Sequence, residues 1–183
     1  MLRMIADLER IADHAENTML SAKEIHEKKE FFTPEITSDM LVLENAIKDI
    51  LEITHNGLVT GDVMVAKRVE PLEEVIKSLS IKLRDRRVKY LTTGKCTMVT
   101  SFILSDLSIY LERVAAHCSN IAIATIEVAK GDLSLDMHEY IETVKKSNSE
   151  EFQRDVAFYS DKYKLPKFEK EQAERRPAIE EKA

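Results

Sequence analysis

The stretch LERIADHAEN, Leu8 to Asn17, returns as LERVAAHCSN, Leu111 to Asn120. The offset is 103 residues (111 − 8), and Leu, Glu, Arg, Ala, His and Asn recur at matching places. Both copies sit in runs whose apolar residues step by alternating threes and fours, the spacing that keeps one stripe of a helix dry. The first run carries Met4, Leu8, Ile11, Ala15, Thr18, Ala22 and Ile25. The run holding the second copy carries Leu107, Leu111, Val114, Cys118, Ile121, Thr125 and Val128. The repeat therefore predicts two long helices built on one plan.

The rest of the chain follows the same rhythm. Met40, Leu43, Ile47, Ile50, Thr54 and Leu58 make one further stripe, and Val65, Val69, Leu72, Ile76, Leu79 and Leu83 another. Gly57, Gly61, Gly94 and Gly131 punctuate the runs, and Pro34 opens one of them, so helices are expected over 2–29, 35–59, 62–92, 96–130 and 135–164. The fifth segment, with Met137, Ile141, Val144, Phe152, Val156, Tyr159 and Tyr163, is less regular and is expected to lie against the others or against a partner. Pro71 removes a backbone donor inside the third run and predicts a kink, or a helix restarting there with Glu70 as its cap. Long helices joined by short turns pack as an antiparallel all-α bundle.

Composition agrees. Aromatic residues are 6% of the 183, tryptophan is absent and a third of the residues are charged, as expected of helices that each expose one wet face. The chain is long enough for one sizeable core, so a single domain over 1–165 is expected, followed by a disordered charged tail at 166–183, where two prolines interrupt dense charge. The net charge of −6 argues against nucleic acid as a general partner. Cys96 and Cys118 form no CxxC pair, which favours free thiols in a reducing compartment. Charges begin at Arg3 and no apolar run reaches membrane-spanning length, so a cytoplasmic location with no signal peptide is expected.

The repeated decapeptide also carries acidic pairs. Residues four apart share a helix face, so Glu9 and Asp13 present two carboxylates to one point, and Glu70 and Glu74 do the same in the third run. Glu112 stands beside its stripe as Glu9 does, but its partner position is Ala116. Oxygen pairs of this kind hold hard or borderline cations in helical bundles, although acidic pairs flanking a stripe are more often solvated.

Together, LERIADHAENT, YLERVAAHCSNIA and the run KRVEPLEEVIKSL, TTGKCT, FILSDL resemble the PhoU family of phosphate-uptake regulators. The likeness is to the cytoplasmic PhoU-like region of bacterial sodium/phosphate cotransporter family proteins. The resemblance implies a fold of two similar three-helix repeats, the first represented here only by its last helix. It further implies metal ligands at Glu9 and Asp13 in one repeat and at Glu70, Glu74 and Glu112 in the other, with iron, zinc, manganese or nickel as the expected ions. Ala116 removes one ligand of the second set. A non-enzymatic regulatory domain at the inner face of the membrane is implied, docking on a membrane phosphate transporter or pairing as a homodimer.

Two other readings remain open at this point. A metal-dependent bundle enzyme would use the same carboxylates, and a plain helical scaffold would dimerise through its first helix. EITH, Glu52 to His55, matches half of a di-iron ligand pattern, but the second half is absent from the sequence. No serine–histidine–aspartate array, phosphate-cradling glycine loop or zinc-protease motif supports catalysis. Lys77, Lys82, Arg84, Arg86, Arg87 and Lys89 concentrate positive charge in KSLSIKLRDRRVKYL, a solvated face or one turned to anionic lipid. His14 and His117 are read as structural, Arg10 and Arg113 as surface ion-pairing groups, Asn17 and Asn120 as links between helices, and Cys118 as a small core residue.

Overall fold

In the computed structural model, which describes residues 2–131 and 150–167, six helices account for most of the described chain and no strand occurs among the described residues. They are α1 (Leu2–Glu27), α2 (Pro34–Thr60), α3 (Val63–Lys67), α4 (Val69–Thr92), α5 (Met98–Lys130) and α6 (Glu150–Lys162). Met137, Ile141 and Val144 of the expected fifth segment, and all but the first two residues of the expected tail, lie outside the described residues.

The helix ends follow from local chemistry. Pro34 occupies the first turn of α2, where its missing N–H is not needed. Thr97 caps α5 by accepting from the Thr100 N–H at 3.0 Å. Gly61 and Gly131 close α2 and α5 with left-handed backbone at φ 66° and 69°. Gly57, expected at a helix end, lies instead inside α2, and a Cβ there would stand 3.3 Å from the Ala66 backbone. Its missing side chain is what lets α3 cross α2 closely.

The expected break near Pro71 occurs earlier. α3 stops at Lys67 and α4 restarts at Val69 with Arg68 as its capping residue, so Glu70 is not the cap but lies in the first turn. Pro71 then stands third in α4, among the positions whose N–H has no carbonyl to meet, and the helix continues past it to Thr92.

α2, α4 and α5 build the main core. Leu43 and Ile50 from α2, Leu72 and Ile76 from α4, and Cys118 from α5 are all fully buried, each large one contributing about 1.5–3 kcal/mol. The stripes read from the sequence for these helices face inward, with Val128 the exception at 54% exposed. A smaller cluster of Ile36, Tyr90 and Leu104 closes the end where α4 turns into α5. There the Asp39 carboxylate, 2% exposed, accepts from Arg86 at 2.5 Å and Tyr90 at 2.7 Å. Burial pushes the Asp39 carboxyl up, outweighing the pull of those two donors, and the same burial and the facing carboxylate raise Tyr90.

α6 lies along α4 and is clasped to α2. Tyr159 and Tyr163, both nearly fully buried, stack with ring centroids 6.4 Å apart. Arg68 donates to the Tyr159 hydroxyl at 3.3 Å, while Lys162 and the Tyr163 hydroxyl both donate to Asp49 of α2. The segment expected to lie against the bundle does so over this described part.

Candidate functional site

α1 departs most from its sequence reading, and the departure defines the site. The helix packs along α5, antiparallel to it, but with Asp7, His14 and Ser21 inward, each 8% exposed, and Ile11 reaching the main core. Leu8, Ala15 and Ala22 of the expected stripe face outward instead. The buried residues recur every seven positions, so the inward face is as regular as an apolar seam but polar.

This polar seam is where the two copies of the decapeptide meet. His14 of the first copy stacks on His117 of the second, the matching position (14 + 103), with ring centroids 5.6 Å apart and planes inclined by 25°. Asp7 accepts from Asn120 at 2.9 Å and pairs with His117 Nδ1 at 2.8 Å. The reciprocal pair, His14 with Tyr110, stacks at 6.1 Å, and Tyr110 is the position matching Asp7 (7 + 103). The helix pair is therefore organised about a local pseudo-twofold through the two histidines. The repeated histidine has a structural role, as read from the sequence, but in company with its own copy.

Electrostatics favour a neutral His14. Burial lowers its pKa first, and His117, Arg113 and Arg10 lower it further against the opposing pull of Asp13. Its Nδ1 is buried without a hydrogen-bond partner.

The outward face of α1 is the second feature. Ile5, Leu8, Ala12, Ala15, Met19 and Ala22 step by threes and fours within a stripe roughly 100° wide, and all six are exposed. The matching residues of α5 are Ser108, Leu111, Ala115, Cys118, Ala122 and Thr125. The last four are at most 5% exposed, buried by α2 and α4, and Leu111 packs against the same core. One plan thus yields a covered face on α5 and an open one on α1.

The five carboxylates singled out by pattern are distributed, not gathered. Glu9 and Asp13 are exposed on the side of α1 turned away from α5. Glu70 is buried at the start of α4 and accepts from the Ser119 hydroxyl at 2.5 Å. Glu74 is half-buried one turn later, and Glu112 lines a different cavity from Glu70. Among the described residues no three histidine, cysteine, aspartate or glutamate side chains are placed to share one ion. Cys96 and Cys118 are free thiols, and burial pushes Cys118 up to about 11, as suits a core residue.

Asp7 escaped the sequence reading, which looked for carboxylates four apart. Its signal was the seven-residue spacing to His14 and Ser21, the same two-turn step in polar letters. Asp39 escaped because its partners Arg86 and Tyr90 lie in a distant helix. Arg86, read as part of a basic run, is instead committed to this buried pair.

Residues 41–125, a little under half of the chain, match the PhoU domain family. The matched stretch covers most of α2 with α3 and α4 and the larger part of α5, so the chain carries a PhoU-like helical domain, to which α1 and α6 are added. No curated protein and no solved structure matches the chain. No helix among the described residues is long and apolar enough to cross a membrane.

Proposed function

We propose that this chain is a regulatory domain of sodium-dependent phosphate transport that works by docking, through the open face of α1, on a helical element of a membrane phosphate transporter. The PhoU-like domain supports the regulatory and phosphate-transport part of this reading. The observation that carries the docking part is the register between the two copies: residues of α5 covered by two neighbouring helices correspond to exposed residues of α1. The occupant that fits is a pair of antiparallel helices presenting apolar faces side by side, as α2 and α4 do to α5. A six-residue apolar stripe on a soluble helix is otherwise a liability.

Metal enters this reading only through Glu9 and Asp13. They stand four apart on the exposed side of α1, and further oxygen ligands would come from the docked partner. The domain would then sit at the cytoplasmic side of the membrane.

The test is binding of the chain to the sodium-dependent phosphate transporter of the same organism, reconstituted in vesicles, with sodium-driven phosphate flux as the second readout. Leu8→Glu and Met19→Glu are expected to abolish binding and its effect on flux. Elemental analysis of the complex, with Glu9→Ala as control, reads the metal. A second copy of the chain is the competing occupant, and its mark is self-association lost in the same variants.

A further inference from the structure

The groove between the later half of α4 and the early half of α5, with α2 behind it, holds a cavity of about 40 Å³. Its walls mix apolar side chains, among them Met40, Leu83, Leu104 and Ile109, with polar ones such as Ser105 and Ser108. Ser80 also borders it, 2% exposed, with a hydroxyl that has no hydrogen-bond partner. Arg84 and Arg87 line the same space. Arg87 is half-buried and donates to the Ser101 carbonyl at 3.3 Å, and Arg84 is exposed and makes no ion pair among the described residues. Two acids border the cavity. Asp39 is already held by Arg86 and Tyr90, and Glu112, half-buried, opposes any anion placed there.

The surface around the opening alternates charge and grease. On the exposed side of α4, Lys77, Ile81, Arg84 and Val88 follow one another at four, three and four residues, so cation and apolar side chain alternate along one stripe. Ile81 is 51% exposed, Val88 55%, and Phe102 at the start of α5 64%. Lys77, Arg84 and Arg87 bring positive charge to this face of a chain whose net charge is −6.

We infer that this α4–α5 face binds an anionic phospholipid surface, a headgroup phosphate lying between Arg84 and Arg87 at the cavity and the apolar residues entering the headgroup boundary. Guanidinium groups pair with phosphate oxygens through directed, charge-assisted hydrogen bonds. Exposed apolar side chains interleaved with cations suit the boundary between headgroups and acyl chains. A free phosphate ion would use the arginines but leave Ile81, Val88 and Phe102 without a role. An acidic protein surface would likewise pair with the arginines without engaging these exposed apolar side chains. None of the α1 residues is involved, so failure of docking at α1 and failure of lipid binding are separate results.

The experiment is flotation of the full chain with vesicles of phosphatidylcholine alone and of phosphatidylcholine mixed with phosphatidylglycerol, in low and high salt. The chain is expected on the mixed vesicles only, with partition weakened about fivefold by each of Arg84→Gln and Arg87→Gln and weakened again by salt. Phe102→Ser is expected to weaken it, and Glu112→Gln to strengthen it. Circular dichroism checks that the variants remain folded. No flotation, or equal flotation on both vesicle types, overturns the inference. So does partition indifferent to Arg84 and Arg87 but lost on changing Lys82 and Lys164, which border the separate α4–α6 groove. Titration with inorganic phosphate alone, followed by amide shifts near Ser80, decides the remaining source: saturable shifts lost in Arg84→Gln would assign the site to free phosphate and overturn the lipid assignment.

Discussion

His14 and His117 occupy the same place in two copies of one sequence motif and stack on each other at 5.6 Å where α1 crosses α5. Burial of His14 at this contact is expected to make α1 sensitive to mild acid. His14 is held below its ordinary value of 6.5, chiefly by burial, so the folded state resists a proton that the unfolded chain accepts. Stability from this site is complete above 6.5 and is lost as pH falls through that value toward the lowered folded pKa. The groups facing the pair are Asp7, Asp13, Arg10 and Arg113, with Tyr110 against the other face of the ring. The protection of α1 amides, measured against the intrinsic exchange rate at each pH, is expected to fall as pH drops below 6.5, before the α2, α4 and α5 core opens. In His14→Phe, which keeps a ring but cannot take a proton, that fall is expected to shrink.

Asp7 joins the same interface to two donors at once. Asp7→Ala leaves both His117 Nδ1 and the Asn120 amide without their acceptor at a mostly buried site. A loss of about 1–3 kcal/mol in chemical denaturation is expected, with Asp7→Asn recovering part of it because a carbonyl oxygen remains. No loss in Asp7→Ala would mean that water replaces the carboxylate freely and that the polar seam does not hold α1.

The α6 clasp has a pH window at both ends. Burial works against the Asp49 carboxylate, but hydrogen bonds from Lys162 and Tyr163 hold it below the ordinary 3.8. Its contribution is present above that value and disappears as pH falls through the lowered pKa. At the alkaline end, burial and the bond to Asp49 push Tyr163 up to about 12, and the same carboxylate raises Lys162. The folded state thus keeps protons that the unfolded chain begins to release near 10, and the clasp weakens as pH rises from there. Protection of α6 amides, relative to the intrinsic exchange rate at each pH, is expected to be greatest between these limits. Asp49→Ala is expected to free α6 at neutral pH while leaving the core helices protected.

The legible part of the fold was the part with one apolar stripe per helix. In α2, α4 and α5 the residues at alternating steps of three and four are also those that the neighbouring helices cover, so pattern and packing coincide. α1 carries two adjoining seams. The apolar one, Ile5 to Ala22, is open, and the buried one presents Asp7, His14 and Ser21. A reading that weights hydrophobicity drifts between them, and the expected stripe of Met4, Leu8, Ile11 and Ala15 takes residues from both. The carboxylates were legible as neighbours on a helix but not as groups in space. Spacing places Glu70 beside Glu74 correctly, and only the packing of α4 on α5 shows that Ser119 holds Glu70. The break before Pro71 was foreseen, while its position at Arg68 depends on the short α3 fitting over Gly57, which is a tertiary matter.

The proposed docking face can be tested apart from folding. Leu8→Glu and Met19→Glu change exposed side chains, at 47% and 56%, so each is expected to alter stability by less than about 0.5 kcal/mol. A larger loss in thermal unfolding would place these residues in the packing of the isolated chain.

The most direct test of the account is a titration of fluorescently labelled chain against the detergent-solubilised phosphate transporter of the same organism, comparing the parent sequence with Leu8→Glu, Met19→Glu and Glu9→Ala. Saturable binding that both seam variants abolish and Glu9→Ala weakens only where metal is present is the predicted result. Binding unchanged by the seam variants, or a chain that instead pairs with itself through Leu8 and Met19, would contradict it.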